Sequence, residues 1–411
     1  MKVIINAKPK EIAELLNTLH PHPVDQRANP LDKLFDAMMK SALKDAENDL
    51  LNGTSDKEPS GISTDLETPA PAPIYGVSGL YSPSPELTRT DDAVGMTFSI
   101  NRDTGEIASD FNNVFPWNRT ELITLGGNKF VSFPEMYFRV GADENHRLTD
   151  IAVSERPTAE GKWYRVAPFM YGRYGGSIEG GKLQSVPDVI RANCKTRDDF
   201  RVAAATNGEG FHQLDLYHHT VLTFLWYIEF ATKNEQAITS GRIYGSGKRG
   251  GCSMCETGGT DNLGTPSGFE IEYGQMRYHY IEDFIGNLLE YVDGVVGGNE
   301  GAHDFVTDDP ELFSDDPENK YKLAYNIPPC GYVTALGWDS GNPFMCLPAE
   351  SDDDAENTHF CTYSDGANAS YPVLFCGAIC DYASSDCGLA CFCRGSAGSS
   401  SADRGGRLLK S

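Results

Sequence analysis

The apolar positions of this chain fall into two regimes. Over residues 1–73 the spacing is mostly helical. Val3-Ile4-Ile5 is apolar enough for a short strand. Residues 10–19 then place Ile12, Leu15, Leu16 and Leu19 on one helical face. Asn29 can cap a second helix with Pro30 at its first position. That helix carries Leu31, Leu34, Phe35, Met38, Met39, Leu43 and Leu50 as a single apolar stripe, too short for a coiled coil. Residues 53–73 are rich in Ser, Thr, Gly and Pro and end Thr68-Pro69-Ala70-Pro71-Ala72-Pro73, the composition of an extended linker.

Beyond Ile74 the pattern shortens to strand-like runs. Met96-Thr97-Phe98-Ser99-Ile100 and Glu106-Ile107-Ala108 flank Asn101-Arg102-Asp103-Thr104-Gly105, which predicts a hairpin. Residues 129–133, 135–140 and 163–167 predict further strands. Residues 187–192 and 196–205 predict short helices. Residues 217–234 predict one long, largely buried helix, with Val221, Leu222, Phe224, Leu225, Ile228 and Ala231 on a broad apolar face and Lys233-Asn234 at its end. His212, His218 and His219 lie at or before its start. Adjacent histidines project about 100° apart on a helix, so the expectation for them is structural, not metal-binding.

Composition narrows the function classes. The chain has 411 residues, 42 glycines and a net charge of −25. No basic stripe is present, which excludes a phosphate-backbone partner and disfavours an anionic membrane. No apolar run reaches transmembrane length and the start has no signal-peptide core, so the expectation is a chain made in a cytoplasm without membrane insertion. Eleven cysteines, an odd number, do not suit a secreted disulfide framework. Cys252-Ser253-Met254-Cys255 has zinc-knuckle spacing but no second ligand pair, so a plain loop is expected. Asp308-Asp309-Pro310-Glu311, Asp315-Asp316-Pro317-Glu318 and Asp352-Asp353-Asp354 offer oxygens that suit calcium, yet none forms an EF-hand loop. Solvated acidic loops are expected, with no cofactor and structural calcium the only ion in view.

The most informative stretch is residues 361–404, where no Lys, Glu, Gln, Met or Trp occurs. Asn codons end in a pyrimidine. If their two adenines are randomised, every amino acid can appear except those five. The same stretch also has a bland reading, as a Ser/Gly/Cys-rich loop without long side chains.

Ile281-Glu282-Asp283-Phe284-Ile285-Gly286-Asn287-Leu288-Leu289-Glu290-Tyr291-Val292-Asp293-Gly294 resembles the G-N-x-x-E-W core motif of the formylglycine-generating-enzyme (sulfatase-modifying-factor) branch of the C-type lectin fold. Tyr291 stands where that motif has Trp. Tyr75-Gly76-Val77, Thr90-Asp91-Asp92-Ala93-Val94-Gly95-Met96, the helix ending before Ser240-Gly241-Arg242, and Gly405-Gly406-Arg407-Leu408-Leu409 resemble phage tail proteins of this fold, in the same order. The resemblance covers residues 74–409. It implies an α+β, C-type lectin-like domain over residues 74–411, preceded by a small N-terminal helical module (1–52) for attachment or oligomerisation and the linker (53–73).

In the variable proteins of diversity-generating retroelements, a branch of this family, the diversified positions lie in the last part of the fold. The resemblance therefore implies a receptor-binding variable protein and not an enzyme, one that sits on a virion tail or a display surface. Its partners would be a protein or glycan receptor on a target cell and tail or baseplate components, with a homotrimer expected by analogy with tail fibres. The contact residues would be Tyr363, Ser364, Asp365, Ile379, Cys380, Asp381, Tyr382, Ser385, Asp386, Cys391, Cys393 and Arg394 on one exposed, loop-built face, with Gly377, Gly388, Leu389 and residues 405–409 as scaffold. Tyr supplies large contact area at low entropy cost, and Ser, Gly and Asp adapt around it. Two rival readings stand beside this one. The first is a formylglycine-generating-enzyme-like cysteine oxidase that uses two of Cys387, Cys391 and Cys393 with copper. The second is a structural virion component that binds no target.

Overall fold

The protein is described from a computed structural model. It covers residues 71–239, 241, 255–272, 274–297, 304–316, 321–324, 331–352, 362–364, 373–377 and 388–411. The expected N-terminal helical module and nearly all of the expected linker lie outside these residues. Ala70–Ser411 forms one compact unit. Its described residues are mostly β-sheet, with two substantial helices, Arg197–Ala205 and Leu216–Phe230. That is a mainly-β or α+β architecture. Among the described residues, no helix is long and apolar enough to cross a membrane.

The long helix organises the core. Leu216–Phe230 is buried on every side except at Tyr217, because its sequence LYHHTVLTFLWYIEF is apolar almost all round. It packs on Ile74–Ser78 and Leu148–Ser154 on one side and on Leu289–Gly297 on another. Trp226 meets Phe230 at 4.4 Å and Tyr278 at 5.0 Å between ring centroids, and Tyr278 stacks on Phe284 at 5.5 Å. Each such side chain contributes about 1.5–3 kcal/mol on burial. The helix stops at Ala231, which is left-handed at φ 49° and donates its N–H to the Tyr227 carbonyl. The expected end at Lys233-Asn234 is therefore displaced. Asn234 instead caps the next turn, Glu235–Ile238.

Local signals elsewhere produce the expected elements. Phe98–Ile100 pairs with Glu106–Ser109 as the hairpin. Arg197–Ala205 starts at a capping box between Thr196 and Asp199. The short helix expected over residues 187–192 does not form. Asp188 is left-handed at φ 60°, Ile190 bridges Glu256, and Asp188 and Val189 exchange backbone hydrogen bonds with Thr257. A distant segment, Glu256-Thr257, takes the bonds a helix would have used internally.

The C-terminal half builds a nine-stranded sheet. Its order runs Lys322–Leu323, Asp304–Val306, Leu289–Gly297, Val373–Gly377, Gly388–Gly395, Thr362–Ser364, Gly331–Leu336 and Pro348–Asp352, with Arg404–Gly405 parallel to the start of Leu289–Gly297. The last strand, Leu408–Lys410, lies inside a separate five-stranded sheet between Phe211–Gln213 and Phe169–Gly172.

Candidate ligand-binding face

The central strand Leu289–Gly297 is buried at every position, and it carries the second half of the G-N-L-L-E-Y motif. The turn before it needs the motif's first two residues. Gly286 and Asn287 are both left-handed, at φ 95° and 69°, a conformation that glycine and asparagine adopt most readily. Val373–Gly377, also fully buried, pairs antiparallel with this strand. Gly388–Gly395 pairs antiparallel with Val373–Gly377, and Thr362–Ser364 pairs parallel with Gly388–Gly395. Three pieces of the compositionally biased segment thus lie side by side, one of them bonded to the buried core strand.

Of the expected contact residues, the sheet brings five together. Tyr363 is in register with Phe392, and Ser364 with Cys393. Cys393 is also in register with Phe375, and Arg394 with Leu374. Cys391 lies in the same strand. These five positions are strand positions, whereas loops were expected. The reason is the parallel pairing across the segment, which no local pattern announces. Asp365, Ile379, Cys380, Asp381, Tyr382, Ser385 and Asp386 lie outside the described residues. Of the expected scaffold, Gly377 is left-handed at φ 83° and faces Gly388 in register, and residues 405–409 are buried.

Beneath the face lies a buried ionic lock. Arg407 donates to both Glu290 oxygens, from Nε at 2.9 and 3.1 Å and from Nη2 at 2.8 Å. Its Nη1 donates to the Gly172 carbonyl, and Nη2 also reaches the carbonyls of Glu282 and Asp283. Arg191, fully buried, donates to the same Glu290 carboxylate. Burial alone would raise the Glu290 carboxyl; the charges of Arg407 and Arg191 overcome it and hold it below the usual range. The motif strand is thereby tied to the chain end, 117 residues away. Space for Arg191 comes from Gly175, where a Cβ would lie 1.9 Å from Nε.

Neighbouring carboxyls answer in the opposite sense. Glu282 accepts from the backbone of Gly258 at 2.8 Å and from Thr260 through N at 2.9 Å and Oγ1 at 2.8 Å. Burial, with the adjacent Asp283 second, pushes Glu282 up to about 7. A carboxyl raised in the folded state holds its proton more tightly there than when unfolded. Glu282 therefore lowers stability progressively as pH rises from about 4.5 to about 7, with no further change above. Denaturant unfolding across that range should show Glu282→Gln lacking this downward component relative to the parent chain. Equal slopes for the two would contradict the assignment.

The structure assembles one cluster that sequence reading missed. His212, Asp215 and His218 are buried with their ligand atoms within 4.8 Å of one another. The three-residue spacing H-x-x-D-x-x-H was the available signal; adjacency of His218 and His219 drew attention away from it. Asp215 is the N-cap of the long helix and accepts from the His218 backbone N–H at 2.8 Å and from His218 Nδ1 at 2.8 and 2.9 Å. His212 Nδ1 faces the Gln213 carbonyl at 2.9 Å, and its Nε2 meets Ser411 Oγ at 3.0 Å. Both Nδ1 atoms thus face oxygen acceptors, so these side chains form a hydrogen-bonded cap at the start of the long helix. Burial lowers the His212 pKa, in keeping with a neutral ring.

Two residues of the acidic clusters have local roles, whereas Pro317, Glu318, Asp353 and Asp354, like Cys252, Ser253 and Met254, lie outside the described residues. Asp309 caps the turn Pro310–Leu312, and Asp315 pairs with Arg197 at 2.8 Å and Arg201 at 2.7 Å. Cys346 and Cys376 are buried, and burial pushes both thiols up, away from thiolate character. Compared with known proteins, the chain matches no family model, and no curated protein matches it.

Proposed function

We propose that this chain is a ligand-binding variable protein with a C-type lectin-like scaffold, a phage tail or surface-display protein diversified by a retroelement. The observation that carries the reading is the absence of Lys, Glu, Gln, Met and Trp over residues 361–404, the signature of randomised Asn codons. Two structural features support it. Three pieces of that segment lie side by side in one sheet, and one of them, Val373–Gly377, is fully buried and bonded to the motif strand. A display surface requires changeable positions anchored to a fixed, buried neighbour. The partner in this reading is a receptor on a target cell, with Tyr363, Tyr382 and Arg394 as the strongest anchors, because aromatic and arginine side chains dominate interfaces.

The decisive test is the neighbouring DNA. A reverse-transcriptase gene beside a near-copy of the codons for residues 361–404, differing at adenines, is expected. Invariant codons in sister copies of the gene, without such a template, would sink the reading. At the protein level, changing Tyr363, Asp381, Tyr382 and Arg394 together to Ala should move Tm by no more than about 2 °C, the scale of exposed substitutions. The same variant should lose retention on cells that bind the parent chain. Unfolding of this variant would make the segment core and not surface. Copper-dependent oxidation of a cysteine peptide, lost in Cys391→Ser while cell retention persists, would favour the cysteine-oxidase reading instead.

A further inference from the structure

The chain leaves the strand Gly388–Gly395 and returns to the motif strand at Arg404–Gly405 through residues 396–403. Four carbonyls of this return are captured by scaffold donors. Tyr291 Oη donates to the Ser399 carbonyl at 2.6 Å, and Asn193 Nδ2 donates to that of Ala402 at 2.9 Å. The Cys194 N–H donates to the Ser401 carbonyl at 2.9 Å, and the Leu289 N–H to that of Asp403 at 3.0 Å. The turn closes internally through the Ser399 N–H to the Ser396 carbonyl at 3.0 Å. Among the described residues, every hydrogen bond that holds residues 396–402 lands on their backbone.

Such a hold does not depend on which side chains the loop carries. The side chains divide accordingly. Ala397 packs on the cluster of Tyr291, Phe375 and Phe200, whereas Ser396, Gly398, Ser400 and Ala402 are exposed. A Cβ built on Gly398 meets nothing within 4 Å. The position where the loop begins is tight. At Gly395 a Cβ would lie 3.0 Å from the Phe375 ring and 3.3 Å from the Arg404 guanidinium, which itself stacks on Phe375 at 4.3 Å. Ser, Gly and Ala are all reachable from an Asn codon through its adenines, so the loop also fits the codon pattern.

We infer that residues 396–402 are a second ligand-contact element, in which Ser396, Gly398, Ser400 and Ala402 accept varied side chains and touch the same protein target as the strand positions. This inference rests on the variable-protein reading, and it extends the site beyond the expected contact residues, which end at Arg394. Tyr291 and Asn193 act as positioning residues: they hold the loop's path while its exposed side chains change. The occupant is a protein surface, because four alternate positions on a short loop offer breadth without a pocket, the way paratope loops contact protein.

Two measurements on the full chain test it. The first uses the triple variant Ser396→Tyr, Ser400→Tyr, Ala402→Arg, which should keep Tm within about 2 °C of the parent. Tyr291→Phe should accelerate amide exchange at Ser399 by about tenfold or more, the scale of one lost hydrogen bond that holds the turn. Unfolding of the triple variant, or unchanged exchange in Tyr291→Phe, overturns the carbonyl clamp. The second uses two displayed libraries, one varied at positions 396, 398, 400 and 402, the other at Tyr363, Ser364, Cys391, Cys393 and Arg394. Both are selected against purified lysozyme as the probe. Binders from both libraries, with combined clones at least about tenfold tighter, are expected. Binders from the strand library alone overturn the inference and leave the proposed function standing. Binders from neither overturn both.

Discussion

Arg407→Met is expected to lower the unfolding free energy by about 3–5 kcal/mol, the largest single-residue loss in this domain. The estimate follows from what the substitution leaves behind. Arg407 is fully buried and makes six hydrogen bonds, three to Glu290 and three to the carbonyls of Gly172, Glu282 and Asp283. Methionine fills similar volume but supplies no donor. The Glu290 carboxylate would then be buried with Arg191 as its remaining cation, and three carbonyls would lose a partner. Because the lock also seats Leu408–Lys410 between two strands, the loss should appear as a lower denaturant midpoint with unchanged m-value. Combining it with Glu290→Gln should cost less than the sum of the two single changes by about 1–3 kcal/mol, since both remove one interaction. Additive losses would mean that the two side chains are not energetically coupled.

Asp293→Ala should be nearly as damaging, at about 3–5 kcal/mol. Asp293 has no exposed surface. It accepts from Arg201 Nη2 at 2.7 Å and Nε at 3.1 Å and from Gln213 Nε2 at 2.6 Å, with Arg197 Nε 3.5 Å away. Alanine would remove an acceptor of Arg201, that of the Gln213 amide, and one of the two carboxylates that face the fully buried Arg197. Arg197 would keep the carbonyls of Val292 and Val295, and both arginines would keep Asp315. Asp315 is partly exposed, so Asp315→Ala should cost less, about 1–2 kcal/mol. Thermal unfolding of the two variants side by side decides the ranking. A larger loss at Asp315 would mean that the arginines are held from the loop and not from the motif strand.

How much of this was legible in the chain depends on the range over which each signal acts. The burial of residues 216–230 follows from an apolar run with helical length. The hairpin around Asn101-Arg102-Asp103-Thr104-Gly105 follows from turn chemistry, and the start of Arg197–Ala205 from a capping box three residues wide. In each case the residues that choose the structure are those that form it. The motif singles out Glu290 and Tyr291, but not the partner that makes burial of Glu290 tolerable. Arg407 lies 117 residues away, and nothing in the spacing of either residue names the other.

The candidate face divides in the same way. Which residues are compositionally unusual over 361–404 could be read directly, because a missing set of five amino acids is a property of the sequence alone. That Tyr363 and Ser364 pair in parallel with Phe392 and Cys393 was decided only in the tertiary structure, since a strand's edge accepts any partner whose register suits the buried layer. The same competition removed the helix expected over residues 187–192, where Thr257 and Glu256 captured the backbone. It also set the path of residues 396–402 through carbonyls, groups that every residue carries and that leave no mark in the sequence. Periodicity and capping therefore determined where the elements lie. Long-range hydrogen bonding and ion pairing decided which elements meet, because those bonds form only once distant segments have been brought into the same buried layer.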